Sequence, residues 1–171
     1  SVLDYRVVLN SVSILLTIVA SYLLGSIPFG YLLVRIFRGE DVRLSGSGNI
    51  GATNVSRKSP VLGVLTLLLD ALKGSAAVLL ANQIFMRTAP GNVDVSLYPA
   101  LSLAALCAIL GHMFPVWLRF RGGKGVATSV GAFALLIPRA TLGAFAIFVI
   151  VTLISRYVSL ASIAAAVTLP I

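Results

Sequence analysis

The chain has 171 residues, 58% of them hydrophobic and only 11% charged, with a net charge of +8 and a mean hydropathy of +1.04. A soluble domain carries about a quarter charged residues, so this balance excludes a water-soluble globule and indicates a polytopic membrane protein of one domain. The positive charge lies between apolar runs, which fits membrane topology, anionic head groups or anionic substrates and argues against nucleic acid.

Residues 1–10, with Asp4 and Arg6, read as a short polar lead. Ser11 to Phe37 is long enough to cross a bilayer, given roughly 20 residues per span, and reads as a retained anchor. Gly25, Pro28 and Gly30 (GSIPFG) predict a kink or local unwinding within it. Close helix packing through small residues is the alternative. A second span, Val61 to Phe85, carries Asp70 and Lys73 at i, i+3, where the two can meet and partly neutralise each other. Residues 86–96 are a short polar loop. The third span, Leu97 to Leu118, holds Cys107, a packing residue, and His112 near its end. With one histidine and one cysteine, the sequence argues against a zinc site and allows no internal disulfide. A fourth run, Val126 to Ile137, breaks at Pro138–Arg139, and a fifth covers Thr141 to Ile154. Both are short for full crossings and are expected to be tilted, irregular or extended into the interface. A sixth run begins after Ser155-Arg156-Tyr157. There is no internal repeat. The expected fold is all-α: a transmembrane helix bundle of six spans or partial spans in a single domain, 1–171.

The positive residues predict its orientation. Arg35, Arg38, Arg43, Arg57, Lys58, Arg119, Arg121, Lys124 and Arg156 follow spans one, three and five, against only Arg6, Arg87 and Arg139 on the other side. The first set is therefore expected in the cytoplasm and the N-terminus outside. Two glycine-rich loops, near 39–60 and 119–128, then face the same compartment and can converge.

The first loop reads SGSGNIGATNVSR from Ser45 to Arg57 and holds no acid. Glycine, Ser, Thr and Asn disfavour regular structure there, so neither helix nor strand is expected. Its amides, hydroxyls and one guanidinium suit a phosphate, the alternative being a polar linker. The second loop, Gly122-Gly123-Lys124-Gly125 with Thr128 and Ser129 behind it, lets amides and an ammonium approach one anion at the start of a helix. It lacks the Walker A spacing. A basic loop touching anionic lipid is the competing reading. With no acidic cluster for a divalent metal, the pair suits a phosphorylated substrate handled without metal or other cofactor. His112 is a candidate general base, or a group that satisfies a neighbouring carbonyl. With no acid near it in sequence it makes a poor serine triad, and Ser47 is at most a candidate covalent nucleophile.

Taken together, SGSGNIGATN with Arg57, DALKG at Asp70 to Gly74, GHMFPVW, FRGGKGVATS and RYVSLAS resemble the bacterial acyl-phosphate:glycerol-3-phosphate acyltransferases, in that family's order, over about Gly25 to Ser162. The resemblance implies an inner-membrane enzyme with seven spans and a cytoplasmic active site. Its members move a fatty acyl group from acyl phosphate to the sn-1 hydroxyl of glycerol 3-phosphate, giving lysophosphatidic acid and inorganic phosphate. Position by position, Ser47, Gly48, Asn49, Gly51, Thr53, Asn54 and Arg57 match the first motif. Gly122, Gly123, Lys124, Gly125 and Thr128 match the second, and Ser159 and Ser162 sit in the third. Lys124, Ser47, Arg57 and His112 are thus the catalytic candidates and the remainder the substrate-binding ones. The HxxxxD motif of the commoner glycerolipid acyltransferases is absent. The family continues through a seventh span to a basic tail with His and Asn, so a base from that tail would lie beyond Ile171. A transporter of phosphate or a phosphorylated metabolite is the rival class. Its broken helices fit, but the absent repeat and the two same-sided loops do not.

Overall fold

The computed structural model describes residues 2–88 and 97–168, with side chains over 11–87 and 97–168. Among them every regular element is helical, as the bilayer demands of a chain whose backbone must satisfy itself. The chain divides into two compact units, residues 1–132 and 133–171.

In the first unit, α1 (Val2–Gly25) and α2 (Phe29–Arg38) form a broken pair. The break falls at 26–28, inside GSIPFG, as expected. The helix start is a correction: α1 takes in the N-terminal segment that its charges mark as a polar lead. Pro28 cannot donate a hydrogen bond and restricts Ile27, so α1 cannot run on into α2. Lys73 compensates by donating from Nζ to the Ile27 carbonyl at 2.7 Å. Gly39 ends α2 in the left-handed conformation (φ 69°), with Arg35 and Arg38 in the last turn.

After a 3₁₀ turn, Val42–Leu44, comes α3 (Ala52–Ser56), a five-residue helix inside the loop expected to be irregular. Then α4 (Pro60–Thr88) runs for 29 residues, about 43 Å at about 1.5 Å per residue. It takes the first residues of the expected 86–96 loop, and 89–96 lie outside the described residues. The third run is helical only to Met113, as α5 (Leu97–Met113), and Val116–Leu118 form a separate 3₁₀ turn after Pro115. Finally α6 covers Val126–Leu136.

Backbone contact holds this unit together. A Cβ at Gly25 would overlap the Ala108 carbonyl, and one at Gly111 the Tyr22 carbonyl, so α1 and α5 meet with no side chain between them. Ala100, Ala104, Ala105 and Ala108 line the same buried face of α5. At one crossing α6 touches α4 through Gly74 against the Thr128 carbonyl and Gly131 against the Ala71 carbonyl. Ser75 Oγ donates to the Gly131 carbonyl there at 2.7 Å.

In the second unit, α7 (Pro138–Ser155) and α8 (Val158–Thr168) pack on each other. Pro138 opens α7 at its first turn, where a missing N–H costs nothing. The expected break at Pro138–Arg139 is therefore a helix start, which lengthens the fifth run to 18 residues. Arg156 (φ 60°) closes it, its N–H donating to the Thr152 carbonyl at 2.8 Å. Among the described residues, four helical segments, beginning at Ser11, Pro60, Leu97 and Pro138, are long and apolar enough to cross a membrane, whereas α6 and α8 are shorter.

Candidate active site

The first loop is organised from within by Asn54, which is 2% exposed. Its Nδ2 donates to the carbonyls of Val42 (3.0 Å), Ser45 (3.0 Å) and Asn49 (2.8 Å), and its Oδ1 accepts from the Ser47 N–H at 3.0 Å. One short side chain thus ties together three stretches of the loop. Asn49 Oδ1 accepts from the Gly51 N–H at 2.8 Å, a local turn that starts α3. Gly46 (φ 58°) and Gly48 (φ 70°) adopt left-handed backbone around Ser47. Gly46 also needs the missing side chain, since a Cβ would overlap Asn54 Oδ1 and crowd the Arg57 guanidinium. Ser47, Thr53 and Arg57 remain exposed on the outer surface.

Ion pairs clamp the loop's entrance and exit. Asp41 holds Arg43 at 2.6 Å and accepts from its backbone N–H at 2.9 Å. Hydrogen bonding to Arg43 lowers the Asp41 carboxyl below its usual range, and Asp41 in turn raises Arg43. Arg43 also lies over the Tyr31 ring, 4.9 Å from its centroid. Lys58 Nζ reaches Glu40 at 2.6 Å, and that bond with the lysine's charge lowers the Glu40 carboxyl.

The second loop folds back on the end of α5. Gly122 donates to the Met113 carbonyl and Gly123 to the His112 carbonyl, both at 3.0 Å. The reversal uses two successive left-handed residues, Arg119 (φ 54°) and Phe120 (φ 62°). Both are non-glycine, and the Phe120 N–H donates to the Pro115 carbonyl at 3.0 Å. Glycine is required at 122 and 123, where a Cβ would overlap the His112 carbonyl and the His112 ring respectively. Gly125 (φ 78°) then turns the chain into α6. Lys124 stands exposed at the tip, while Thr128 is fully buried and its Oγ1 has no hydrogen-bond partner.

The two loops share a floor. Val42, Ile50 and Val55 of the first loop form one buried apolar cluster with Val34, Leu62 and Leu118, and Leu118 leads into the second loop. A Cβ at Gly30 would overlap the Ile50 carbonyl, so the start of α2 presses directly on this floor. Ser159 and Ser162 belong to the other unit, on α8, where Ser162 Oγ donates to the Val158 carbonyl at 2.7 Å.

Sequence reading missed the surroundings of His112. The ring is 4% exposed, and its Nδ1 lies 3.5 Å from Asp70 Oδ1, so a histidine with no acid near it in sequence has one beside it in space. Asp70 and Lys73 do pair, at 2.8 Å, and both are buried. The i, i+3 spacing foretold that pair, but nothing local links position 70 to position 112.

A family model described as glycerol-3-phosphate acyltransferase matches residues 15–171. The chain belongs to the glycerol-3-phosphate acyltransferase family. Relatives of that name include one from Syntrophotalea carbinolica, 49% identical over 160 residues (93% of this chain, 77% of the relative). Another, from Desulforamulus reducens, is 47% identical over 161 residues (94% and 76%). Among solved structures, PlsY, an integral membrane glycerol 3-phosphate acyltransferase, matches in its glycerol 3-phosphate form with a TM-score of 0.78 and 40% identity, covering 92% of this chain and 74% of that one. Its lysophosphatidic acid form matches with a TM-score of 0.75 and 38% identity over the same shares. This acyltransferase is therefore a multi-pass integral membrane protein, and its helices have the fold of a membrane acyltransferase rather than of a transporter.

Proposed function

We propose that this acyltransferase moves a fatty acyl group from acyl phosphate to the sn-1 hydroxyl of glycerol 3-phosphate, in the bacterial inner membrane and at a cytoplasmic face. The observation that carries the reading is the shared floor, which draws two acid-free stretches toward Leu118: Ser45–Arg57, with Arg57 exposed, and Gly122–Gly125, with Lys124 exposed close in sequence to the exposed Arg119 and Arg121. Relatives named for glycerol 3-phosphate supply the acceptor, and the motif resemblance supplies the donor. Acyl phosphate is a mixed anhydride with a good leaving group, so the acceptor hydroxyl can attack the carbonyl carbon directly. The new ester C–O bond forms as the C–O bond to phosphate breaks, and the hydroxyl proton ends on a phosphate oxygen. In this scheme the Lys124 ammonium stabilises charge on the carbonyl oxygen and departing phosphate, where preorganised donors act most strongly, while the Gly122 and Gly123 amides, bonded to the Met113 and His112 carbonyls, hold the loop that carries it. Arg57, with the exposed Ser47 and Thr53 hydroxyls, holds the acceptor's phosphate. Asn54 and Asn49 shape that loop, and a covalent role for Ser47 is unnecessary.

The test is purified protein in lipid or detergent given palmitoyl phosphate and glycerol 3-phosphate. Inorganic phosphate and lysophosphatidic acid are expected in equal amounts. Lys124→Ala should cost about 100-fold or more in kcat, the scale of a lost transition-state donor, with Lys124→Arg retaining much of it. Absence of both products from protein that still binds glycerol 3-phosphate overturns the reaction, and an undiminished Lys124→Ala overturns the role of the lysine.

A further inference from the structure

A short stretch of α4, from Asp70 to Ser75, reaches α5, α6 and the break between α1 and α2. Lys73 holds the break between α1 and α2 through the Ile27 carbonyl at 2.7 Å. Gly74 and Ser75 meet α6 at Thr128 and Gly131. Asp70 turns to α5, where its Oδ1 lies 3.5 Å from His112 Nδ1, a close approach of two buried polar atoms that have no hydrogen-bond partner among the described residues beyond the Asp70–Lys73 ion pair. His112 in turn grips the loop twice, its carbonyl accepting from the Gly123 N–H at 3.0 Å and its ring lying flush against the Gly123 backbone. Both ring nitrogens therefore face protein, Nδ1 toward Asp70 and Nε2 toward Gly123, on a residue that is 4% exposed. A ring so enclosed is badly placed to take a proton from a substrate. It is well placed to fix the residue that precedes Lys124.

We infer that Asp70 is a positioning residue for acyl transfer: it orients the His112 ring, and the ring sets the height of the Gly122–Lys124 segment over the shared floor. The inference rests on the acyl-transfer reading above and concerns how that site is held. Burying a carboxylate and an ammonium beside an imidazole is costly for stability alone, since an apolar pair of similar volume often does as well. A requirement for oriented geometry gives the cluster a function. Displacing a catalytic group by about 1 Å costs on the order of 100-fold in rate, so a shift at Gly123 is felt at Lys124.

The experiment measures kcat and the KM for glycerol 3-phosphate separately, in protein that elutes as a single folded species. Asp70→Asn is expected to lower kcat at least about tenfold, the effect of about 1.4 kcal/mol on the barrier, while KM stays within about twofold, because the acceptor's phosphate is held by the other loop. Asp70→Asn alone leaves Lys73 buried without its anion and can unfold the protein. The charge-neutral pair Asp70→Asn/Lys73→Met avoids this and should show the same kcat loss. Adding His112→Gln to that pair should lower kcat no further than His112→Gln alone, since Asp70 acts through the ring. Gly123→Ala, which pushes on the ring and leaves Asp70 and Lys73 intact, should lower kcat in the same way. The inference is overturned if the folded charge-neutral pair keeps wild-type kcat, or if the losses at 70 and 112 simply multiply. An inactive wild type would instead overturn the acyl-transfer reading, so the two failures are distinguishable.

Discussion

Asn54 and Asp41 do different work in the same loop, and each makes a measurable prediction. Asn54 joins the Val42, Ser45 and Asn49 carbonyls to the Ser47 N–H in a site closed to water. A typical bond of this kind contributes about 1 kcal/mol net, so Asn54→Ala is expected to cost about 3 kcal/mol or more and to lower the thermal midpoint in detergent. Asn54→Asp should be no better, because it keeps the acceptor for Ser47 but turns an anion toward three carbonyls. A midpoint unchanged in both variants would remove Asn54 as the organiser of the loop. Asp41 acts through charge at a partly exposed pair with Arg43. Arg43 depresses the Asp41 carboxyl from its ordinary 3.8, so the folded state binds that proton less readily than the unfolded chain does. The contribution is thus complete above pH 3.8 and is lost as pH falls through the depressed value. Asp41→Asn should lower stability by about 0.5 kcal/mol at neutral pH, as for other partly exposed pairs. Thermal midpoints of the two proteins should converge in acid, and a constant gap down to pH 3 would show that charge is not the cause.

The helices were largely legible in the sequence, and their ends less so. Apolar runs gave the starts of α4, α5 and α6 and the end of α6 to within a residue, since a span must satisfy its own backbone and little else can form there, while α4 runs three residues past Phe85 and α5 stops five before Leu118. GSIPFG announced the break between α1 and α2 through a proline and two glycines. The short helix α3 stayed hidden because Thr53, Asn54 and Ser56 favour turns and caps, and what holds them in a helix is tertiary: the distant carbonyls bound by Asn54 and the burial of Val55 in the shared floor. The glycines of the second loop pointed toward an anion, whereas their packing on His112 depends on how α5 ends, which composition does not encode. Packing also separates glycines that look alike in the sequence. Gly131 in α6 lies against the Ala71 backbone, so Gly131→Ala should force α4 and α6 apart at a cost of about 1–3 kcal/mol. Gly143 in α7 has nothing within 4 Å of a would-be Cβ, and Gly143→Ala should stabilise by about 0.5–1 kcal/mol through helix propensity alone. Thermal denaturation of the two variants checks the pair, and a similar response from both would contradict the close crossing at Gly131.

For the whole molecule, the decisive question is which side of the membrane the loops share. Basic residues follow α2 and surround the second loop, and the positive-inside tendency is the ground on which we propose that this face is cytoplasmic. The apolar floor beneath both loops requires them to lie on one side, whichever it is. Cysteine labelling can decide this without dismantling the protein, because the one native cysteine, Cys107, is buried. Leu44→Cys, Arg121→Cys and Arg87→Cys each replace an exposed residue, and none of the three has a role in the proposed chemistry. With a membrane-impermeant maleimide on intact spheroplasts, Arg87→Cys should label, while Leu44→Cys and Arg121→Cys should label only after permeabilisation. The reverse pattern would invert the molecule and leave the shared floor standing. Labelling of Leu44→Cys and Arg121→Cys from opposite sides would separate the loops, and with them the single site on which the acyl-transfer mechanism depends.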